Sequence, residues 1–250
     1  MSSNEGGRSP QQSGQVFATT HWSLVLAAGD GDATAAREAL ARLCRTYWYP
    51  LYAYVRRKGH SPHDAEELTQ EFFLQVLEHN WVARADRSRG RFRSFLLMAM
   101  NRFLSNAWDR AQTEKRGGKW RRVPLTLDDA ESRFSREPVE TRTPEQEFEK
   151  QWALTLLEHV LDTLCAEYAE RGQAALFNAL KPCLVGRRET QPYHQLGAEL
   201  GMTEGSVKVA VFRLRQRYRE RLMEEIAHTV ASPDEVESEV RHLFRVLARR

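Results

Sequence analysis

Between Lys208 and Arg219 the chain carries side chains suited to reading DNA. Lys208, Phe212, Arg215 and Arg219 recur at helical spacing, with Arg213 and Arg217 beside them. Cations spaced this way can neutralise phosphates, and lysine or arginine can bond the major-groove edge of a guanine. One position round the same helix, Val207, Val211, Leu214 and Tyr218 form an apolar stripe. One face is built to pack and its neighbour to meet a polyanion.

The residues just before this helix supply what must position it. Leu196 and Leu200 sit four apart and share one face of a preceding helix. Gly201 fits the position after a helix end, where a left-handed backbone costs glycine little. Thr203 can cap the next helix, with Glu204 near its positive dipole end. From Tyr193 to Arg215 the segment therefore reads as a helix-turn-helix of the DNA-binding kind.

A net charge of +3 over 250 residues conceals a segregated charge pattern. Basic residues gather at 84–122 and 208–221, while 64–78 and 128–149 are acidic. Such segregation suits a protein that meets nucleic acid with some surfaces and a different partner with others. Cys44, Cys165 and Cys183 have no metal-ligand or CxxC spacing and are expected to be reduced and structural. No nucleotide loop, metal cluster or nucleophile-plus-base spacing is present, and the histidines are scattered singly. The expectation is a protein that is not an enzyme and needs no metal or cofactor. The polar N-terminus has no secretory pattern and no apolar run reaches membrane length, so a cytoplasmic location without membrane contact is expected.

The periodicities give an all-α chain of two small helical domains joined by a flexible linker. Residues 1–15 read as a disordered tail and 16–113 as the first helical domain. Residues 114–150 read as a linker with at most one short helix. The second domain spans 151–231, and a last helix occupies 232–250. Ser61-Pro62-His63-Asp64 is a strong helix start. The helix that follows turns Ala65, Leu68, Phe72 and Val76 inward and an acidic, glutamine-rich face outward. A basic loop at 86–91 leads into a helix that buries Phe92, Phe95, Leu96, Ala99 and Phe103. Helices resume at Pro144, and the last one shows Val236, Val240, Leu243, Phe244 and Leu247 on one face.

The segment Asp64-Ala-Glu-Glu-Leu-Thr-Gln-Glu-Phe-Phe-Leu-Gln-Val-Leu-Glu78 resembles the core-binding helix (region 2.2) of the sigma-70 family, in particular its extracytoplasmic-function (ECF) group. Phe92-Arg-Ser-Phe-Leu-Leu resembles the part of region 2 that opens and reads the −10 element, and the helix-turn-helix resembles region 4, which reads the −35 element. The likeness covers about residues 33–112 and 151–223, in the family's order.

This resemblance implies a sigma factor that recruits core RNA polymerase to promoter DNA and helps melt it. Glu67, Gln70, Glu71 and Gln75 would dock on the beta-prime clamp helices, and the second domain on the beta flap. Arg87, Arg89, Arg91, Arg93, Asn101, Arg102 and Arg110 would handle the −10 strand. The family's asparagine at the flipped-base pocket aligns with Arg102, with Asn101 beside it. On the recognition helix, Lys208, Val209, Phe212 and Arg213 would face the groove, and Ser206, Arg215 and Arg217 would contact phosphates. The last helix would either pack on the second domain or receive a regulator such as an anti-sigma factor. The alternative is a free-standing helix-turn-helix regulator that never meets core polymerase; such a protein needs a dimer surface to read paired half-sites.

Overall fold

A computed structural model describes residues 46–78, 91–113, 128–135, 142–184, 191–230 and 232–248. All regular structure among them is helical, as the periodicities require. The expected tail at 1–15 and residues 86–90 of the expected basic loop lie outside the described residues.

Helix α1 covers residues 46–57, α2 Pro62–Glu78 and α3 Phe92–Thr113. The start of α2 is set by Ser61, whose hydroxyl accepts the amide of Asp64 at 3.1 Å. Ala65, Phe72 and Val76 are buried, and the Phe72 ring meets Phe103 of α3 edge-on at 5.8 Å. Tyr47 of α1 closes the bundle against Phe92 at 5.5 Å. Phe92 and Phe103 are fully buried while Phe95 is half-buried, so the aromatic residues of α3 belong mainly to the core.

The expected linker contains helix α4, Asp128–Ser135, and this helix is docked on α1. Its Ala130 is buried and its Phe134 meets Tyr52 edge-on at 6.5 Å. Glu131 receives two bonds from Arg56, at 3.0 and 2.9 Å, and a third from the Tyr52 hydroxyl. Arg56 and Arg57 also stand over the Phe134 ring, at 4.8 and 5.0 Å.

Helix α5, Pro144–Glu170, begins with a capping box between Thr143 and Gln146. The boundary drawn at 151 falls inside this helix. Its first turns belong to the core of the first half: Phe148 meets Tyr54 edge-on at 6.5 Å, and Trp152 is fully buried. Leu156, Val160 and Leu164 then serve the second half. There α6 (Ala174–Leu180), α8 (Glu204–Ala227) and α9 (Val236–Ala248) pack on α5, and α7 (Tyr193–Leu200) packs on α8. The buried side chains form one continuous cluster from Tyr47 to Leu243. Of the two expectations for the last helix, packing on the second half is the one found: α9 lies on α5 and α8 and buries Leu243 and Val246. Cys183 is buried and Cys165 half-buried, both free. Among the described residues no helix is long and apolar enough to cross a membrane, and no cluster could hold a metal ion.

Candidate nucleic-acid interface

The turn between α7 and α8 is fixed by backbone chemistry. Gly201 adopts φ +63°, the left-handed conformation that glycine tolerates best. The amide of Met202 returns to the carbonyl of Gly197 at 2.8 Å, and the Thr203 hydroxyl accepts the Ser206 amide at 3.1 Å. Val207, Val211 and Leu214 are buried, which leaves the opposite face of α8 in solvent. Lys208 and Arg213 are exposed there, with Val209 and Phe212 at 49% and 66% exposure. Two apolar side chains held in water between two cations are poor solvation chemistry but good material for a groove, where thymine methyl groups supply apolar partners.

The expected phosphate contacts divide. Ser206 is exposed beside the cap, its hydroxyl 2.8 Å from that of Thr203. Arg215 is exposed and donates to the Cys183 carbonyl at 2.9 Å, tying α8 to the turn after α6. Arg217 is turned inward: its Nε and Nη2 donate to Glu167 of α5 at 3.3 and 3.2 Å. Glu167 also pairs with Arg221. In this conformation Arg217 joins two helices.

On α2, Glu67 is exposed and Gln70, Glu71 and Gln75 are half-exposed along one stripe. Within it Gln75 donates to Glu71 at 3.0 Å, and Gln70 donates to Glu66 at 3.2 Å. Sequence reasoning missed Leu74, which is 43% exposed on the same stripe, seven residues after Glu67. Its helical position could have revealed it, because the inward stripe already takes Phe72, Phe73 and Val76. An exposed leucine ringed by carboxylates and amides has the composition of a protein contact with a polar rim.

The cations of α3 are the least like their expectation. Arg93, read as a strand contact, is 2% exposed. Its Nε donates to both carboxylate oxygens of Glu149, at 3.0 and 2.8 Å, its Nη1 pairs with Glu239 of α9, and its guanidinium stands 4.3 Å from the Trp152 ring centroid. Burial pulls its pKa down, against the Glu149 carboxylate, which raises it. Arg91 pairs with the same Glu239 at 2.8 Å. Asn101 is half-buried and accepts the Tyr54 hydroxyl, while Arg102 beside it is exposed. Trp108, further along α3, is 64% exposed. Arg87 and Arg89 lie outside the described residues, and Arg110 is described only as helical backbone. Glu149, Glu239 and Trp152 were not among the expected site residues.

An all-helical chain whose second half sets a capped helix after a left-handed glycine turn has the form of a helix-turn-helix. Comparison with known proteins narrows this. The family model for Sigma-70 region 2 matches residues 43–114. Over 205 residues, 80% of this chain and 69% of the relative, the sequence is 28% identical to the ECF RNA polymerase sigma factor SigE of Mycolicibacterium smegmatis. No solved structure gives a significant match. The chain is thus similar to sigma-70 proteins through region 2 and, over most of its length, to a sigma factor of the extracytoplasmic-function group.

Proposed function

We propose that the chain binds core RNA polymerase through α2, captures the −10 strand with α3 and the basic residues before it, and reads the −35 element with α8. The observation that carries this reading is the division of surfaces. The face of α8 with Lys208, Val209, Phe212 and Arg213 suits a DNA groove. The stripe of Glu67, Gln70, Glu71, Leu74 and Gln75 repels DNA and suits a basic protein surface. Opening a duplex without ATP requires capture of one strand more favourably than it stacks, which calls for cations and aromatic faces together. Arg102 and Trp108 supply both on the exposed side of α3. The sigma factor contributes binding and strand capture, and the polymerase performs the chemistry. Residues 46–113 form the core-binding and −10 module in this reading, and the α7–α8 unit forms the −35 module, seated on the beta flap.

Pull-down of purified core RNA polymerase by the full chain and by its Gln70→Ala/Glu71→Ala variant tests the reading. Stoichiometric capture that the variant loses is the expected result. Strong promoter DNA binding with no capture of polymerase would hand the case to a free-standing regulator.

A further inference from the structure

We infer that α9 is an intramolecular latch: Glu239, with Glu149, occupies Arg91 and Arg93 where a nucleic-acid strand would otherwise bind. The inference rests on the reading of Arg91 and Arg93 as strand contacts.

Glu239 is fully buried on a helix that also buries Leu243 and Val246 against the second half. Its carboxylate reaches across to the first half, to Arg91 at 2.8 Å and to Arg93. Glu149 completes the pairing of Arg93 and also meets His242 of α9 at 2.8 Å. The ends of α3, α5 and α9 thus converge on two guanidinium groups. A carboxylate and a phosphodiester present the same paired oxygen acceptors to a guanidinium, so an arginine held by one is closed to the other. Burying such a cluster is a poor route to stability, since well-packed apolar side chains of similar volume serve as well or better. Its use here is competitive: the acidic side chains stand in for phosphates, and a strand gains Arg91 and Arg93 only by displacing Glu239 from them.

The test is a titration of the full chain with a fluorescent single-stranded oligonucleotide at fixed salt. Glu239→Gln should tighten binding at least tenfold. Glu237→Gln makes the same charge change at an exposed position two residues away and should shift binding less than twofold. Adding Arg91→Ala and Arg93→Ala to Glu239→Gln should abolish the gain. Backbone amide exchange over 91–96 and 236–248 should quicken in Glu239→Gln. Equal affinities for Glu239→Gln and Glu237→Gln would overturn the latch, as would a gain that survives loss of both arginines. Should Glu239→Gln fail to fold, Glu149→Gln leaves Glu239 in place and should give a smaller gain of the same sign; no gain there overturns the latch as well. The titration needs no polymerase, so the latch and the sigma-factor reading can fail separately.

Discussion

A β-carbon placed on Gly197 would stand 2.6 Å from the carbonyl oxygen of Met202, closer than any side chain tolerates. The approach exists because the Met202 amide bonds back to Gly197 and closes the turn onto α7. Gly197→Ala must therefore push α7 away from α8. The expected cost is about 1–3 kcal/mol, the usual range for overpacking. Thermal unfolding of the full chain checks it, and an unchanged Tm would show that the turn yields without strain.

Arg213 and Arg217 should separate specificity from stability. Arg213→Ala removes an exposed cation that the proposed function turns toward the groove, and should lose about 1–3 kcal/mol of discrimination between consensus and scrambled −35 DNA. Arg217→Ala breaks the tie to Glu167 and should lower Tm while weakening both DNAs alike. Equal losses of discrimination in the two variants would refute the assignment.

Trp108→Ala should leave stability within about 0.5 kcal/mol, as surface substitutions usually do. If its exposed indole stacks on an unpaired base, as the proposed function has it, single-stranded −10 DNA should bind more weakly by about 1–3 kcal/mol. Quenching of indole fluorescence by the oligonucleotide, lost in the variant, would report the same contact. Retained affinity would remove Trp108 from the capture surface.

The docking of α4 should be sensitive to acid. Burial works to raise the Glu131 carboxyl, but hydrogen bonds from Arg56 and Tyr52 overcome it and hold the group below its ordinary value of 4.5. A carboxylate depressed on folding stabilises above its unfolded value, and that contribution is lost as pH falls through the folded one. Protection of the amides of residues 128–135, relative to their intrinsic exchange at each pH, should therefore be high at neutral pH and fall below about pH 4.5. Glu131→Gln should show low protection at both pH values; a pH response of protection that persists in it would point to another group.

The elements were legible where the signal is local. Ser61-Pro62 and Thr203 announce helix starts within three residues, and Gly201 announces a turn by itself. The inward stripes of α2, α3 and α8 follow from spacing alone. What escaped joins distant segments. Arg93 and Glu239 are 146 residues apart, and Arg56 and Glu131 are 75 apart. No periodicity records such pairs, and an arginine's charge does not say whether it meets a phosphate or a buried carboxylate. The position of residue 151 inside α5 escaped for a related reason. Composition changes there, but the Thr143 cap had already begun α5, and only the fold reveals that Phe148 and Trp152 belong to the first half.

Because α5 lends Phe148 and Trp152 to one half and Leu156 to Leu164 to the other, the two halves cannot part without wetting aromatic surface. Newly hydrated apolar area raises heat capacity, by about 0.45 cal/K/mol per Å². Association ordinarily lowers it. A partner that prises the halves apart would thus bind with a heat-capacity change less negative than its contact area demands. Calorimetry across a range of temperatures would read that deficit as a measure of how far the molecule unclasps.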